Sequence, residues 1–76
     1  MSGYRFIEYE AGENGITTIT LNRPERMNAF NRVMSGELVL AIDRFAHDED
    51  GKTLILTGAG RAFSTGEDLR NINLDA

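Results

Sequence analysis

The run Thr53-Leu54-Ile55-Leu56-Thr57 is apolar at every central position and passes straight into Gly58-Ala59-Gly60. Continuous hydrophobicity, as opposed to alternation, predicts a strand buried on both faces, the pattern of a parallel sheet. Such a strand cannot follow its parallel neighbour through a tight turn; it needs a crossover. The preceding segment supplies one. Asn31 is a good N-cap, and Met34, Leu38, Ala41, Ile42 and Phe45 recur at three- and four-residue spacing, which predicts one apolar helical stripe running to about His47. Gly36 weakens that helix and Asp48-Glu49-Asp50-Gly51 ends it. The partner strand is Ile16 to Leu21, rich in β-branched residues. Strand, helix and strand form a βαβ unit, whose crossover is expected to be right-handed.

An earlier strand is predicted from Tyr4 to Tyr9, with Tyr4 and Phe6 on one face and Ile7 and Tyr9 on the other. Gly12-Glu13-Asn14-Gly15 is turn chemistry, and Asn-Gly is a strong hairpin signal. The first two strands should therefore pair antiparallel. Asn22 to Phe30 is a loop whose start is set by Pro24, because the residue before proline is biased toward extended geometry. The fold class is α/β: an N-terminal hairpin plus a βαβ unit, in a single domain over residues 1–76. One helix on a three-stranded sheet leaves one sheet face uncovered, so the domain is expected to be an incomplete one.

Size and composition narrow the function classes. A chain of 76 residues buries only about 60% of its unfolded surface and is marginal without added support. With no cysteine, neither disulfides nor thiolate metal sites can stabilise it. A net charge of −4 argues against nucleic acid, whose binding depends on basic patches. No stretch has signal-peptide or membrane-span character. The expectation is a cytoplasmic protein with no membrane or nucleic-acid partner, an imported organellar enzyme being the alternative.

The chemistry is concentrated after the last strand. Gly58 to Thr65 is a glycine-rich loop leading to an expected helix start at Gly66-Glu67-Asp68. Backbone N–H groups aimed outward from such a corner can hold an anion or a developing negative charge. The plainer reading is an ordinary helix start whose acidic residues favour the dipole. Residue types leave both open. Arg26 and Arg70 likewise read either as phosphate-holding forks or as solvated surface residues.

Four other signals are weak. Gly58-Ala59-Gly60 begins a dinucleotide fingerprint, but Phe63 stands where the third glycine belongs. Ala62-Phe63-Ser64-Thr65-Gly66 resembles a nucleophile elbow with alanine in first place, yet an acid and then a histidine should follow it. A small hydrolase using Ser64 is the reading it would support. His47 sits near a helix C-terminus, where dipole contact explains it. Asp48-Glu49-Asp50 lacks calcium-loop spacing.

Two segments together carry a more specific signal. Ile19-Thr20-Leu21-Asn22-Arg23-Pro24 followed by Met27-Asn28-Ala29-Phe30, and then Leu54 through Leu69, resemble the N-terminal strand, loop and first oxyanion segment of the crotonase superfamily, the enoyl-CoA hydratase/isomerase family. The likeness runs from about Ile7 to Ile72 and corresponds to roughly the first third of a family member. It implies part of a spiral of ββα repeats that binds acyl-CoA thioesters and stabilises a thioester enolate with two backbone N–H groups. One donor would be the Glu67 N–H, with Gly66 beside it; the other, and the acid/base carboxylates of hydratases, are expected beyond Ala76.

By the same resemblance the coenzyme A thioester is the substrate and no separate cofactor is expected. Arg26 and Arg70 would hold the CoA phosphates. Met27, Ala29, Ala62, Ser64, Gly66 and Asp68 would line or adjoin the acyl-CoA pocket, while Arg23 is structural. Glu67 departs from the alanine or glycine common at its position. Intact family members form trimers or hexamers. The competing reading is a non-catalytic CoA-binding or interaction module derived from such a gene.

Overall fold

A computed structural model describes residues 3–66. The expected helix start at Gly66-Glu67-Asp68 therefore lies largely outside the described residues. The elements are β1 (Ile7–Ala11), β2 (Ile16–Leu21), a short 3-10 helix (Pro24–Arg26), α1 (Arg32–Ala46) and β3 (Thr53–Gly58). The sheet order is β1-β2-β3. β1 and β2 pair antiparallel, Ile7 opposite Leu21 and Ala11 opposite Thr17. β2 and β3 pair parallel, Ile16 beside Thr53 and Leu21 beside Gly58. Hairpin and βαβ unit are both present, forming among the described residues a small mixed α/β sheet with one α-helix. Among the described residues no helix is long and apolar enough to cross a membrane.

The first strand begins three residues later than the alternation predicts. Its expected start, Tyr4-Arg5-Phe6, is drawn toward the helix: the Glu37 carboxylate accepts from the Arg5 N–H at 2.5 Å and the Phe6 N–H at 2.8 Å. Those donors are used by α1 and not by a ladder. The Phe6 carbonyl still accepts from the Asn22 N–H at 2.7 Å, and regular pairing starts at Ile7.

Asn31 caps α1 as its residue type predicts. Its side-chain oxygen accepts from the Met34 N–H at 2.8 Å, satisfying one of the orphan donors of the first turn. Met34 and Ala41 are fully buried, and Leu38 packs beside them on the sheet. Ile42, predicted in the same stripe, is 43% exposed. Each helical residue advances about 100°, so Ile42 lies on the shoulder of the stripe that Met34, Leu38, Ala41 and Phe45 centre.

The core is one layer deep. Ile7, Ile19, Leu21, Met34 and Ala41 form it, with Tyr4, Phe6, Tyr9, Phe30, Leu38 and Leu54 against them. Each large aliphatic side chain fully buried there contributes about 1.5–3 kcal/mol. Pairing and period two place Ile7, Ile19 and Leu21 on the helix side, and Thr53, Ile55 and Thr57 on the other. That second face is exposed, and even Leu56 on the helix side is 39% accessible. The continuous apolar run of β3 thus predicts more burial than the described residues provide. α1 packs over β1, leaving β3 at the rim of the covered area.

Candidate functional site

Both chemistry-bearing loops leave the sheet from the same end, because β2 and β3 run parallel and finish side by side at Leu21 and Gly58. The loop after β2 spans residues 22–30 and the loop after β3 spans 59–66. The Ala59 N–H donates to the Leu21 carbonyl at 2.7 Å, so the second loop starts anchored to the end of β2. It then folds back over its own strand. A Cβ at Gly58 would stand 2.4 Å from the Phe63 carbonyl oxygen, so a residue without a side chain is required there.

Asn28 joins the two loops. It is completely buried and makes five hydrogen bonds. Within the first loop, its N–H donates to the Arg23 carbonyl at 2.9 Å and its Oδ1 accepts from the Arg23 N–H at 2.7 Å. Across to the second loop, Nδ2 donates to the Ala59 and Ala62 carbonyls, each at 2.8 Å. The Asn28 carbonyl accepts from the Ser64 hydroxyl at 2.8 Å. Both amide protons are used, which is what burial of a carboxamide requires.

The local backbone is strained to allow this. Met27 and Asn28 have φ of 49° and 57°, left-handed values that cost roughly 1–2 kcal/mol per residue for L-amino acids, with Asn among the types that tolerate them. Arg23 supports the same loop. It is 8% exposed, donates from a guanidinium nitrogen to the Ala29 carbonyl at 2.7 Å, and lies over the Phe6 ring. Its structural assignment agrees with this geometry.

At the far end the loops meet again. The Thr65 N–H donates to the Met27 carbonyl at 3.2 Å, and the Phe30 N–H to the Gly66 carbonyl at 2.7 Å. The Ser64 hydroxyl also accepts from the Gly66 N–H at 3.0 Å. Gly66 has φ of 90°, a value that favours glycine. Ser64 is therefore a staple between loops: its proton is committed to a backbone carbonyl, and no histidine approaches it among the contacts of the described residues.

The predicted site residues fall into three groups. Ala29, Ala62, Ser64 and Gly66 are brought to the loop junction through their backbones or, for Ser64, its hydroxyl. Arg26 and Met27 lie on its exposed side. Glu67, Asp68 and Arg70 lie outside the described residues.

Two residues of this region escape a reading by motif. One is Asn28, whose signal is a residue type that tolerates left-handed backbone and carries both donor and acceptor. The other is Arg61, whose guanidinium comes within 3.8 Å of the exposed Met27 sulfur. Arg26, Arg61, Met27 and Phe63 together give the loop pair an exposed surface of cations and large apolar groups. Chemically, that surface suits an anionic ligand with an apolar part.

The chain is similar to known proteins in sequence and in fold. The sequence pattern of the family described as enoyl-CoA hydratase/isomerase matches residues 11–75. The 1,2-epoxyphenylacetyl-CoA isomerase of Escherichia coli K12 is 46% identical over 63 residues, 83% of this chain and 24% of that protein. A probable enoyl-CoA hydratase of Rhodobacter capsulatus is 50% identical over 66 residues, 87% of this chain and 24% of that protein. The crystal structure of an enoyl-CoA hydratase/isomerase from Xanthobacter autotrophicus Py2 superposes with a TM-score of 0.82 at 48% identity, covering 88% of this chain and 24% of that one. The chain spans about a quarter of the length of these relatives.

Proposed function

The chain belongs to the enoyl-CoA hydratase/isomerase family, and from that premise we propose that its two interlocked loops form one side of an acyl-CoA site. In this reading the peptide N–H that follows Gly66, that of Glu67, hydrogen-bonds the thioester oxygen as enolate charge builds on it. The observation that supports it is the 2.7 Å bond from the Phe30 N–H to the Gly66 carbonyl. In a planar trans peptide the carbonyl and the following N–H point opposite ways. In this reading, a peptide held by its carbonyl toward the first loop offers its opposite edge to ligand. A preorganised donor of this kind is worth about 3–4 kcal/mol of barrier.

The rest of the ligand follows the loop surface. Arg26, with Arg70, binds the CoA phosphates through planar guanidinium forks. Met27, Ala29, Ala62, Ser64 and Asp68 line or adjoin the path of the thioester. A second N–H donor and the carboxylates that move protons come from the remainder of the fold that full-length relatives carry. No cofactor other than the CoA of the substrate takes part.

Titration of the chain with CoA, and with crotonyl-CoA carrying 13C at the thioester carbon, tests the reading. The expected result is binding of both, a downfield shift of the labelled carbon, and recovery of crotonyl-CoA without hydration. A folded chain that binds neither, or leaves the carbon unshifted, overturns the reading. Binding with no carbonyl shift is the signature of a simple CoA-binding module. Turnover that a Gly66→Pro change abolishes would place proton transfer within these 76 residues and overturn its assignment elsewhere.

A further inference from the structure

We propose that Asn28 is the positioning residue of this site: its carboxamide sets where the second loop, and with it the Gly66 peptide, stands relative to the first. The role in thioester chemistry rests on the reading above; the positioning itself does not. Three facts carry it. Asn28 is fully buried at the junction. Its side chain divides its bonds by direction, Oδ1 receiving from the Arg23 N–H of its own loop and Nδ2 donating to Ala59 and Ala62 across the gap. Its carbonyl receives the Ser64 hydroxyl, which in turn receives the Gly66 N–H. The carboxamide thus fixes the second loop at Ala59 and Ala62, and the main-chain carbonyl of the same residue continues through Ser64 to Gly66.

The division of bonds separates two roles that an alanine change would confuse. Asn28→Asp keeps an oxygen for the Arg23 N–H and tolerates the left-handed backbone, but offers no donor to the two carbonyls and sets a carboxylate against them. A residue that merely shapes its own loop is preserved by this change. A residue that positions the second loop is not. Asn28→Gly keeps the backbone conformation and removes the whole side chain, which guards against a variant that fails only because of buried charge.

Amide hydrogen exchange on the 76-residue chain reads the positioning without ligand. In both variants exchange at Phe30, Thr65 and Gly66 is expected to rise about 10- to 100-fold, as befits the loss of two buried hydrogen bonds, while amides of the β1–β2 ladder change by less than about threefold. Protection that persists at Phe30 and Gly66 in Asn28→Asp overturns the proposal. So does loss of protection that is equal throughout the fold in both variants.

The 13C-labelled crotonyl-CoA experiment then separates this inference from its premise. If the carbonyl shift seen with the unaltered chain vanishes in Asn28→Asp, the positioned loop serves the thioester oxygen. If the unaltered chain shows no shift and the amides still respond, the thioester reading fails and the positioning role stands.

Discussion

The sheet and the loop pair are stabilised by opposite means. On the sheet, Ile7, Ile19, Leu21, Met34 and Ala41 are held by burial, a non-directional force that tolerates an uncovered second face around Ile55. In the loop pair, position depends on directional bonds: Asn28, Arg23 and Ser64 connect backbone groups that no ladder satisfies. The difference shows why geometry can be tight at a site whose scaffold is thin. A buried carboxamide with all its protons placed leaves little freedom of register, whereas an apolar layer one helix deep leaves a good deal.

That contrast can be broken at its strongest point first. Ile19→Ala, at a fully buried position, is expected to cost about 2–5 kcal/mol and to lower the urea midpoint as measured by both helix circular dichroism and loop amide exchange. Gly58→Ala places a Cβ against the Phe63 and Ala62 carbonyls. A cost of about 1–3 kcal/mol is expected from such overpacking, with loop amides deprotected before those of β1 and β2. If that variant loosens both regions together, the two are not separable.

Smaller changes sharpen the boundary. Asn31→Ala removes the cap of α1 and should cost about 1 kcal/mol by chemical denaturation, with the Asn28 bonds retained in exchange data. Ile55→Thr, on the exposed sheet face, is expected to stay within about 0.5 kcal/mol. A large loss there would show that this face is covered in solution.

The same contrast governs what could be read from residue order. Elements fixed by local rules are legible: the N-cap at Asn31 and the hairpin at Asn14-Gly15 follow from nearby residues, and the parallel pairing of Ile16–Leu21 with Thr53–Gly58 from the apolar pattern and the helix between them. Features that depend on a distant partner are not. The start of β1 moves to Ile7 because Glu37, on another element, takes the Arg5 and Phe6 donors. Ile42 is exposed because it lies on the shoulder of the stripe, about 80° of helical rotation from Met34. Gly66, Ala62 and Ser64 could be singled out by motif, but the reason they sit together is Asn28, whose partners in the second loop lie 31 to 36 residues away.

Those separations also order events in time. The bonds from Asn28 to Ala59, Ala62 and Ser64 enclose the whole of α1 and β3. The loops cannot meet until the crossover is made and the parallel strands have zipped, which is the slow, non-local step of such topologies. The site is therefore a late arrival on the folding pathway. In a pulse-labelled refolding experiment the Phe30 amide should gain protection after the amides of α1, so the chain acquires its helix well before its two loops interlock.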